Sequence, residues 1–464
     1  MGSLDIQQLR QWGRDHLWMQ SERAVDLQAD DAYHIIVRGE GCYVHDIEGR
    51  RAIDGTSSGF TKSIGHGRPE IAAAVAAQLA ELSHTPNSFG HVTVPGIRLA
   101  RKLAELAPGT LDRTFFTTGG SEAVEVAIQI ARQVQHIRGH AGKFKVIARR
   151  PEYHGSTHAT MSLGMRTDRN HSLFEPLMGG VLQVDAPHCY RCPWGHRDRT
   201  PDRCCDLGLT GLRMLIEAEG ADTIAALVAT PLRIGGSPPP PDYWPQVRRL
   251  CDAHQILLVG DEVTLGGGRL GTWLGFERFG VVPDVVALGK GLTSGDLPVG
   301  AAMATREIAE AFDAAPRTLG QFHHGATFGA HPVVMAAALA NIAIIERDDL
   351  IANVNAMGAR LHQGLLALRD AHPSIEYVAG GFGLLASLSV VRTRSTGARY
   401  PGGARGPALS RLARSIHGHG LSLRVSNTIN IAPPFPVTAP LIDEIVEILD
   451  RSFTDMEREF PPEA

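Results

Sequence analysis

The chain has 464 residues, of which 43% are hydrophobic and 20% are charged, so it can bury a large core and is not a disordered protein. Its formal net charge of −4 argues against a nucleic-acid binder, which would carry an excess of basic residues. It has no apolar run long enough to span a bilayer and no apolar stretch of a secretory signal at its start. We therefore expect a cytoplasmic protein with neither a nucleic-acid nor a membrane partner.

The first predicted elements form a small antiparallel unit. Residues between Tyr33 and Ile53 alternate in polarity and turn near Gly41 and Gly49, which is typical of short paired strands. We expect residues 1–59 to join a small domain that the end of the chain completes.

The middle of the chain, residues 60–325, alternates short apolar runs with helical patterns. Continuous apolar runs of this kind predict a mostly parallel sheet covered by helices on both faces, so this part is expected to be a large α/β domain. The predicted strands are Thr114–Thr117, Val146–Ala148, Ala226–Ala229, Ile256–Val259, Val285–Leu288 and Gly300–Ala304.

The last part of the chain, residues 326–464, predicts a smaller α+β domain. Its pattern contains long helices and one clear strand, and nothing in it repeats the sequence of the middle part. The predicted elements are helices at Pro332–Arg347, Leu350–His372 and Ala439–Glu459 and a strand at Leu384–Val391.

Residues suited to chemistry follow the predicted strands, where ligands of such sheets gather. After the first strand, Gly119, Gly120 and a capping Ser121 open a helix, whose free N–H groups and dipole suit an anion such as phosphate. A capped helix after a tight turn has the same pattern. Tyr153 follows the second strand and suits either stacking on a planar ligand or burial in the core.

Two further strand ends carry a carboxylate and an amine. Asp261 ends a buried strand, where it needs a cationic or N–H partner, although a helix cap or structural ion pair would also explain it. Lys290 follows the apolar strand VVAL between two glycines. A lysine in an apolar site can lose its proton and act as a nucleophile, whereas a strand-end lysine can also extend to solvent.

Taken together, these features match the requirements of pyridoxal phosphate. The lysine would form the Schiff base, the carboxylate would keep the pyridine nitrogen protonated, and the helix N-terminus would hold the phosphate. The sequence therefore predicts a pyridoxal-phosphate enzyme, with a catalytically silent binding protein on the same scaffold as an alternative of another class.

From about Asp30 to Phe453 the sequence resembles the class III (subgroup II) aminotransferases of pyridoxal-phosphate fold type I. The likeness rests on the order and spacing of several segments. They are FFTTGGSEAVEVAIQIAR, EYHGSTHATMSLG, LLVGDEVTLGGGRLGTW, PDVVALGKGLTSGDLPVGA and HHGATFGAHPVVMAAALANI. The resemblance implies a large domain with a mostly parallel sheet flanked by helices and a smaller α+β domain.

The resemblance also implies roles for individual residues. Lys290 would bind the cofactor covalently and then act as the base of a 1,3-proton shift, and Asp261 would pair with the pyridinium. The residues implied to bind the cofactor are Gly120, Ser121, Tyr153, His154, Asp261, Val263, Lys290 and Thr327. Of these, Val263 and Tyr153 would lie on opposite faces of the ring. Thr327 would reach the phosphate of a partner subunit, which implies a homodimer with shared sites, or a tetramer of such dimers.

Within the class, the chain is similar to the ω-amine:pyruvate transaminases in the segments YHGST, KGLTSGDLPVGA and PPPPDYW. Phe60 is placed where those enzymes have a pocket aromatic, and Arg424 is near their mobile arginine, which binds a keto-acid carboxylate. Arg424 can also be read as a surface arginine. The implied reaction moves an amino group from a primary amine or ω-amino acid to a keto acid such as pyruvate, by a ping-pong mechanism through pyridoxamine phosphate.

Several departures from the family pattern bear on the substrate. Thr230 stands where most members have a glutamate that often pairs with a carboxylate-binding arginine, which argues against glutamate as the amino partner. The chain also resembles 2,2-dialkylglycine decarboxylase, but Gly59, Tyr153 and Asn430 replace residues of that enzyme's site, which disfavours decarboxylation. An aminomutase, a racemase or a decarboxylase-like enzyme on the same scaffold is the alternative function.

Four cysteines crowd into one segment, at Cys189, Cys192, Cys204 and Cys205. A C-x2-C pair with more thiols nearby can share a zinc ion, but the adjacent second pair is poorly spaced for chelation. We expect a structural loop and no metal, with zinc binding, redox chemistry or a disulfide as alternatives.

Overall fold

The structure is a computed structural model that describes residues 5–20, 34–164, 171–192, 201–235 and 238–463; at residues 171, 172, 189 and 201–207 it describes the backbone alone. The strands within these ranges are β1 Ile36–Glu40, β2 Tyr43–Asp46, β3 Arg51–Asp54, β4 Leu111–Thr117, β5 Lys145–Arg150, β6 Val181–Asp185, β7 Ile224–Ala229, β8 Leu257–Asp261, β9 Val285–Leu288, β10 Gly300–Thr305, β11 Ile375–Ala379, β12 Ala386–Val390, β13 Leu421–Ser422 and β14 Thr428–Ile431.

Helices connect and cover these strands. They are α1 Ile6–His16, α2 Ser57–Phe60, α3 Pro69–Glu81, α4 Val94–Leu106, α5 Gly120–Ile137, α6 His158–Leu163, α7 Pro201–Glu219, α8 Tyr243–Ala253, α9 Arg306–Ala314, α10 Arg317–Gly320, α11 Pro332–Arg347, α12 Leu350–Ala371, α13 Pro407–Gly418 and α14 Ala439–Glu459. Helices α3, α4, α11, α13 and α14 have proline in their first turn, where its missing N–H costs no hydrogen bond. In the described ranges no helix is both long and apolar enough to cross a membrane.

The large sheet has seven strands in the order β4-β10-β9-β8-β7-β5-β6. Strand β10 pairs antiparallel with both its neighbours, and the others run in one direction. The six strands predicted from the middle of the sequence are present, and the mostly parallel sheet is confirmed. Strand β6 was not predicted, because it is a half-buried edge strand without a clear apolar run.

Both faces of this sheet are covered, as the continuous apolar strands require. Helix α5 packs on one face, with Ala127 and Ala131 in a cluster that includes Ala148 and Val259 of the sheet. Helices α7 and α8 cover the opposite face through a second apolar cluster around the fully buried Trp244. The result is a rigid layer whose strands β4, β5, β7, β8 and β9 all end at the same edge.

Two smaller sheets tie the ends of the chain together. Strands β1, β2 and β3 form the predicted antiparallel unit, and β13 from near the end of the chain pairs parallel with β3, bringing Leu421 opposite Ile53. Strands β11, β12 and β14 form a separate antiparallel sheet. The N-terminal strands therefore share a sheet with the C-terminal part of the chain.

Candidate active site

Lys290 lies directly after β9, in a short helical turn of residues Lys290–Thr293. Its backbone is in the left-handed region, with φ of +39°, which is costly for a residue with a side chain. Its Nζ donates a hydrogen bond to the Thr264 hydroxyl at 2.8 Å. Burial lowers the pKa of this amine, and the nearby Asp261 charge opposes the shift. Burial thus makes the amine easier to deprotonate, as a nucleophile requires.

The other four lysines of the chain have different surroundings. Lys62, Lys102 and Lys145 form ion pairs with carboxylates. Lys143 is buried and donates to three backbone carbonyl groups. Among the five, Lys290 is therefore the one whose amine has only a neutral hydroxyl as its recorded hydrogen-bond partner.

Asp261 ends β8, the strand next to β9, and is 4% exposed. One of its oxygens accepts the backbone N–H of Val263 at 3.0 Å, and the other lies 2.7 Å from Nδ1 of His154. Burial disfavours protonation of His154, but the hydrogen bond with Asp261 and the nearby carboxylate of Glu152, 3.5 Å from Nε2, outweigh it and raise the pKa of His154 to about 9. At neutral pH the ring is therefore a cation that donates Nδ1–H to the Asp261 carboxylate.

The N-terminus of α5 provides the predicted anion cradle, with one correction. The helix begins at Gly120 with Gly119 as its N-cap, so Ser121 lies inside the first turn and is not the cap. No side chain caps this end, because the N-cap residue is a glycine; Glu122 in the first turn accepts from the backbone and hydroxyl of Thr118. Uncapped N–H groups at a helix start suit a phosphate.

Close packing brings this cradle against the end of β8. A Cβ built on Gly120 would lie 2.4 Å from Cγ1 of Val263, so only glycine allows the approach. Ser121 accepts a hydrogen bond from the backbone of Ser156 at 3.2 Å, which ties the cradle to the segment after β5 as well. Three strand ends thus meet at one place.

Gly120→Ala is expected to destabilise the protein by about 1–3 kcal/mol, because Val263 must move to admit the methyl group. Gly119→Ala is the matched control, since nothing lies within 4 Å of a Cβ there and its backbone is extended. Thermal unfolding of both variants measures the difference. Equal melting temperatures for the two variants would show that the contact of Gly120 with Val263 has no energetic weight.

Tyr153 follows β5 and is 39% exposed, unlike a tyrosine of the core. Its hydroxyl is hydrogen bonded to Ser156 at 2.9 Å, which fixes the ring near the cradle. Val263, which is half-buried, follows β8, whereas Tyr153 follows β5. An exposed aromatic face and a branched apolar side chain are suited to the two faces of a planar ring.

These residues fit pyridoxal phosphate. The structure provides a partly desolvated amine, a carboxylate on the neighbouring strand and an uncapped helix start. Each feature corresponds to one part of the cofactor: its aldehyde, its ring nitrogen and its phosphate.

For three predicted site residues, no contact with Lys290, Asp261 or the anion cradle is recorded in the described part of the chain. Phe60 packs against an apolar cluster that includes Leu232 and Leu385, and its backbone is left-handed, with φ of +67°. Thr327 and Arg424 are exposed, and no hydrogen bond or ion pair is recorded for either within the described part of the chain. Their predicted roles involve a partner subunit or a moving side chain.

The structure also shows site residues that the sequence did not assign. Thr264 contacts the lysine amine, and the buried pair Arg149 and Glu152 stands behind His154. The sequence did indicate that Arg149 has an acidic partner, because Arg149 interrupts an apolar strand and a buried arginine requires a counter-charge. Its partner is three residues away on a loop, which the strand pattern does not indicate.

The structure describes only part of the cysteine segment. Cys192 is half-buried, whereas the side chains of Cys189, Cys204 and Cys205 lie outside the described residues. Across the side chains that the structure does describe, no three of the histidine, cysteine, aspartate or glutamate type are grouped as metal ligands.

Comparisons with known proteins agree with this geometry. The family model "Aminotransferase class-III" matches residues 25–453. Adenosylmethionine-8-amino-7-oxononanoate aminotransferase of Geobacter sulfurreducens is 35% identical over 97% of this chain and 98% of its own. Taurine–pyruvate aminotransferase of Bilophila wadsworthia is 35% identical over 92% and 93%, respectively. The solved (S)-enantioselective ω-transaminase of Thermomicrobium roseum has a TM-score of 0.90 at 33% identity, covering 98% of this chain and all of that one. The chain therefore belongs to the class III aminotransferases, enzymes of fold type I that depend on pyridoxal phosphate.

Proposed function

We propose that this aminotransferase takes its amino group from a primary amine or an ω-amino acid and passes it to a keto acid such as pyruvate. The observation that carries the proposal is the buried amine of Lys290, bonded to the hydroxyl of Thr264 on the segment that follows Asp261. The name of the taurine–pyruvate relative supports the choice of substrates, since taurine bears its amino group on a carbon without a carboxylate.

Each residue of the site would have its own role in the reaction. When bound, pyridoxal phosphate supplies an electron sink and carries the amino group between the two substrates. Lys290 would hold the cofactor and, once released, would move a proton to or from the carbon that bears the amino group. Asp261 would face the ring nitrogen, and the first-turn N–H groups at Gly120 and Ser121 would hold the phosphate.

The substrate side of the site supports an amine donor. Thr230 and Asn430 are neutral where the resemblance implies a glutamate and an arginine, and Asn430 is bound by Ser387 at 2.8 Å. A fixed ion pair for an α-carboxylate is therefore not built from these positions. Phe60 would form part of an apolar pocket, and Arg424 would bind the carboxylate of the keto acid when that substrate enters.

The enzyme is proposed to act as a homodimer with shared sites. Thr327 is exposed in the single chain, next to Phe328, which is 57% exposed. Phe89 is 93% exposed, and Val94 and Ile97 near it are also exposed. Apolar side chains exposed in this number mark an interaction surface.

Sedimentation velocity of the purified enzyme is expected to give at least twice the mass of one chain.

Two further proposals concern location and domain division. A cytoplasmic location is supported by the free thiols of Cys42 and Cys251, since burial raises the pKa of each to about 12 and keeps it unreactive. A large domain of residues 60–325, with residues 1–59 joining residues 326–464, is supported by the sheet that pairs β3 with β13.

The function is tested by absorbance spectroscopy of the purified enzyme with bound cofactor. A simple amine without a carboxylate is added in the absence of any keto acid, and pyruvate follows. We expect the amine to abolish the visible absorbance of the bound cofactor and pyruvate to restore it, since the amino group moves onto the cofactor and off again. Alanine should accumulate in the amount of pyruvate consumed.

Other outcomes identify other functions. If no amine changes the spectrum but an α-amino acid does, the amine donor is wrong and the aminotransferase class stands. If a product forms without any keto acid, the amino group returns to the same molecule and the enzyme is an aminomutase. If carbon dioxide is released when an α-amino acid is the donor, the reaction is a decarboxylation.

A further inference from the structure

A row of four charged side chains lies buried behind the site. In order they are Arg149, Glu152, His154 and Asp261, and none is more than 4% exposed. Arg149 donates to Glu152 at 2.5 Å, Glu152 lies 3.5 Å from Nε2 of His154, and Nδ1 of His154 lies 2.7 Å from Asp261. The charges alternate in sign along the row, so each ionised group has an opposite charge beside it.

The far end of the row is anchored to the protein. The guanidinium of Arg149 lies 4.5 Å from the centre of the Trp244 ring and donates to the carbonyl of Thr230 at 2.5 Å. Glu152 also accepts the backbone N–H of Thr230 at 3.2 Å. Glu152 is therefore fixed by Arg149 and by the loop after β7. A buried charge held in this way cannot turn away from the histidine without losing both partners.

Asp261 and Glu152 together set the state of the histidine. Burial would favour a neutral ring, but carboxylates at both ring nitrogens favour the cation, and they raise the pKa of His154 to about 9. Burial also opposes ionisation of Glu152, whereas Arg149 lowers the pKa of that carboxyl. Within the row, Arg149, Glu152 and Asp261 act on one another or on His154. Outside the row, the titratable groups that interact with its members are Tyr243, Glu262 and Lys290.

We propose that Glu152 is a positioning residue, which holds the His154 ring with Nδ1–H donated to Asp261 and so fixes the carboxylate that meets the ring nitrogen of the cofactor. A cationic ring donates from both nitrogens, so its orientation is unambiguous. A neutral ring can carry its single proton on Nε2 and then presents a lone pair to Asp261, which repels the carboxylate. The inference rests on the proposed role of Asp261.

Glu152→Gln tests the proposal, because the amide keeps the size of the side chain and removes its charge. The first readout is the titration of His154 in the apoenzyme, followed by NMR of ¹³C-labelled histidine and assigned by the signal missing in His154→Asn. The midpoint is expected to fall from about 9 by about one pH unit or more. In the enzyme with bound cofactor, kcat/KM is expected to decline on the alkaline side of its pH profile, the alkaline limb, at a pH that is lower by the same amount.

Glu376→Gln is the matched control, because Glu376 is also buried and pairs with an arginine, Arg191, at 2.9 Å, but on β11 of another sheet. It should leave both the titration of His154 and the alkaline limb unchanged. Glu152→Asp retains the charge and should restore the midpoint toward its original value. If Glu152→Gln folds poorly, the aspartate variant is compared with the natural enzyme alone. Its shorter side chain holds the charge farther from Nε2 of His154, so its midpoint should be lower than in the natural enzyme, and an unchanged midpoint would contradict the proposal.

Two results separate the possible failures. If Asp261→Asn keeps full activity, the proposed role of Asp261 is wrong and the row has no catalytic purpose. Asp261→Asn can be impaired while Glu152→Gln changes neither the titration midpoint of His154 nor the alkaline limb of kcat/KM. In that case Glu152 is only structural. A purely structural loss would lower the amount of folded enzyme at every pH without moving either titration.

Discussion

Lys290→Ala is expected to lower kcat by about 10⁴-fold or more, because it removes both the cofactor attachment and the base that moves the proton. Among the described residues, no second amine or imidazole is recorded as a hydrogen-bond partner of Lys290. The nearest recorded partner of the amine is the hydroxyl of Thr264, which is far less basic. Steady-state assays with an amine and pyruvate measure the loss, and a single-turnover experiment shows whether the chemical step itself has failed.

Lys102→Ala serves as the control for the loss of a lysine, since Lys102 is paired with Glu346 on the protein surface. Its activity and melting temperature should match those of the natural enzyme. Turnover by Lys290→Ala at an undiminished rate would remove the basis of the whole catalytic assignment, whatever the spectrum of the bound cofactor.

Asp261→Asn is expected to lower kcat by about 10²–10³-fold, because a neutral amide no longer stabilises the positive charge on the cofactor ring. The carboxylate accepts from Val263 on one oxygen and from His154 on the other. An amide has a single oxygen, so one buried donor loses its partner at a cost of about 1–3 kcal/mol. Both kcat and the melting temperature should therefore fall.

A matched substitution separates these two effects. Asp284 precedes β9 at the opposite edge of the same sheet, and it accepts from Arg248 and from the backbone of Leu258. Asp284→Asn should lower the melting temperature and leave kcat close to normal. If the two variants lose kcat equally, the loss at Asp261 comes from reduced stability and not from its position at the site.

The large sheet was predictable because its strands are buried on both faces. Strands such as β7 and β8 read as unbroken apolar runs, and helix α11 was predicted with its observed bounds. Strand β6 was missed because an edge strand that is half-buried has no such run. The cap of α5 was also assigned wrongly, since the identity of a cap depends on which backbone groups turn toward it.

The candidate site was predictable to the extent that it depends on strand ends. Lys290 and Asp261 follow neighbouring parallel strands, so their proximity follows from the topology of the sheet. The contact of Glu152 with His154 depends on a turn between them, and Thr230 meets this pair through space. The roles of Thr327 and Arg424 stay predictions, because they involve a partner subunit and a moving side chain, which neither a strand pattern nor a helix pattern records.

The left-handed backbone of Lys290 has a consequence for the evolution of the enzyme. Glycine adopts φ of +39° without the cost of about 1–3 kcal/mol that a strained residue bears, so Lys290→Gly should unfold at a higher temperature than Lys290→Ala. A laboratory selection for heat resistance alone would accept glycine at this position and discard the enzyme's chemistry. Only a selection that also scores turnover would keep the lysine, and stability and catalysis therefore compete at this one residue.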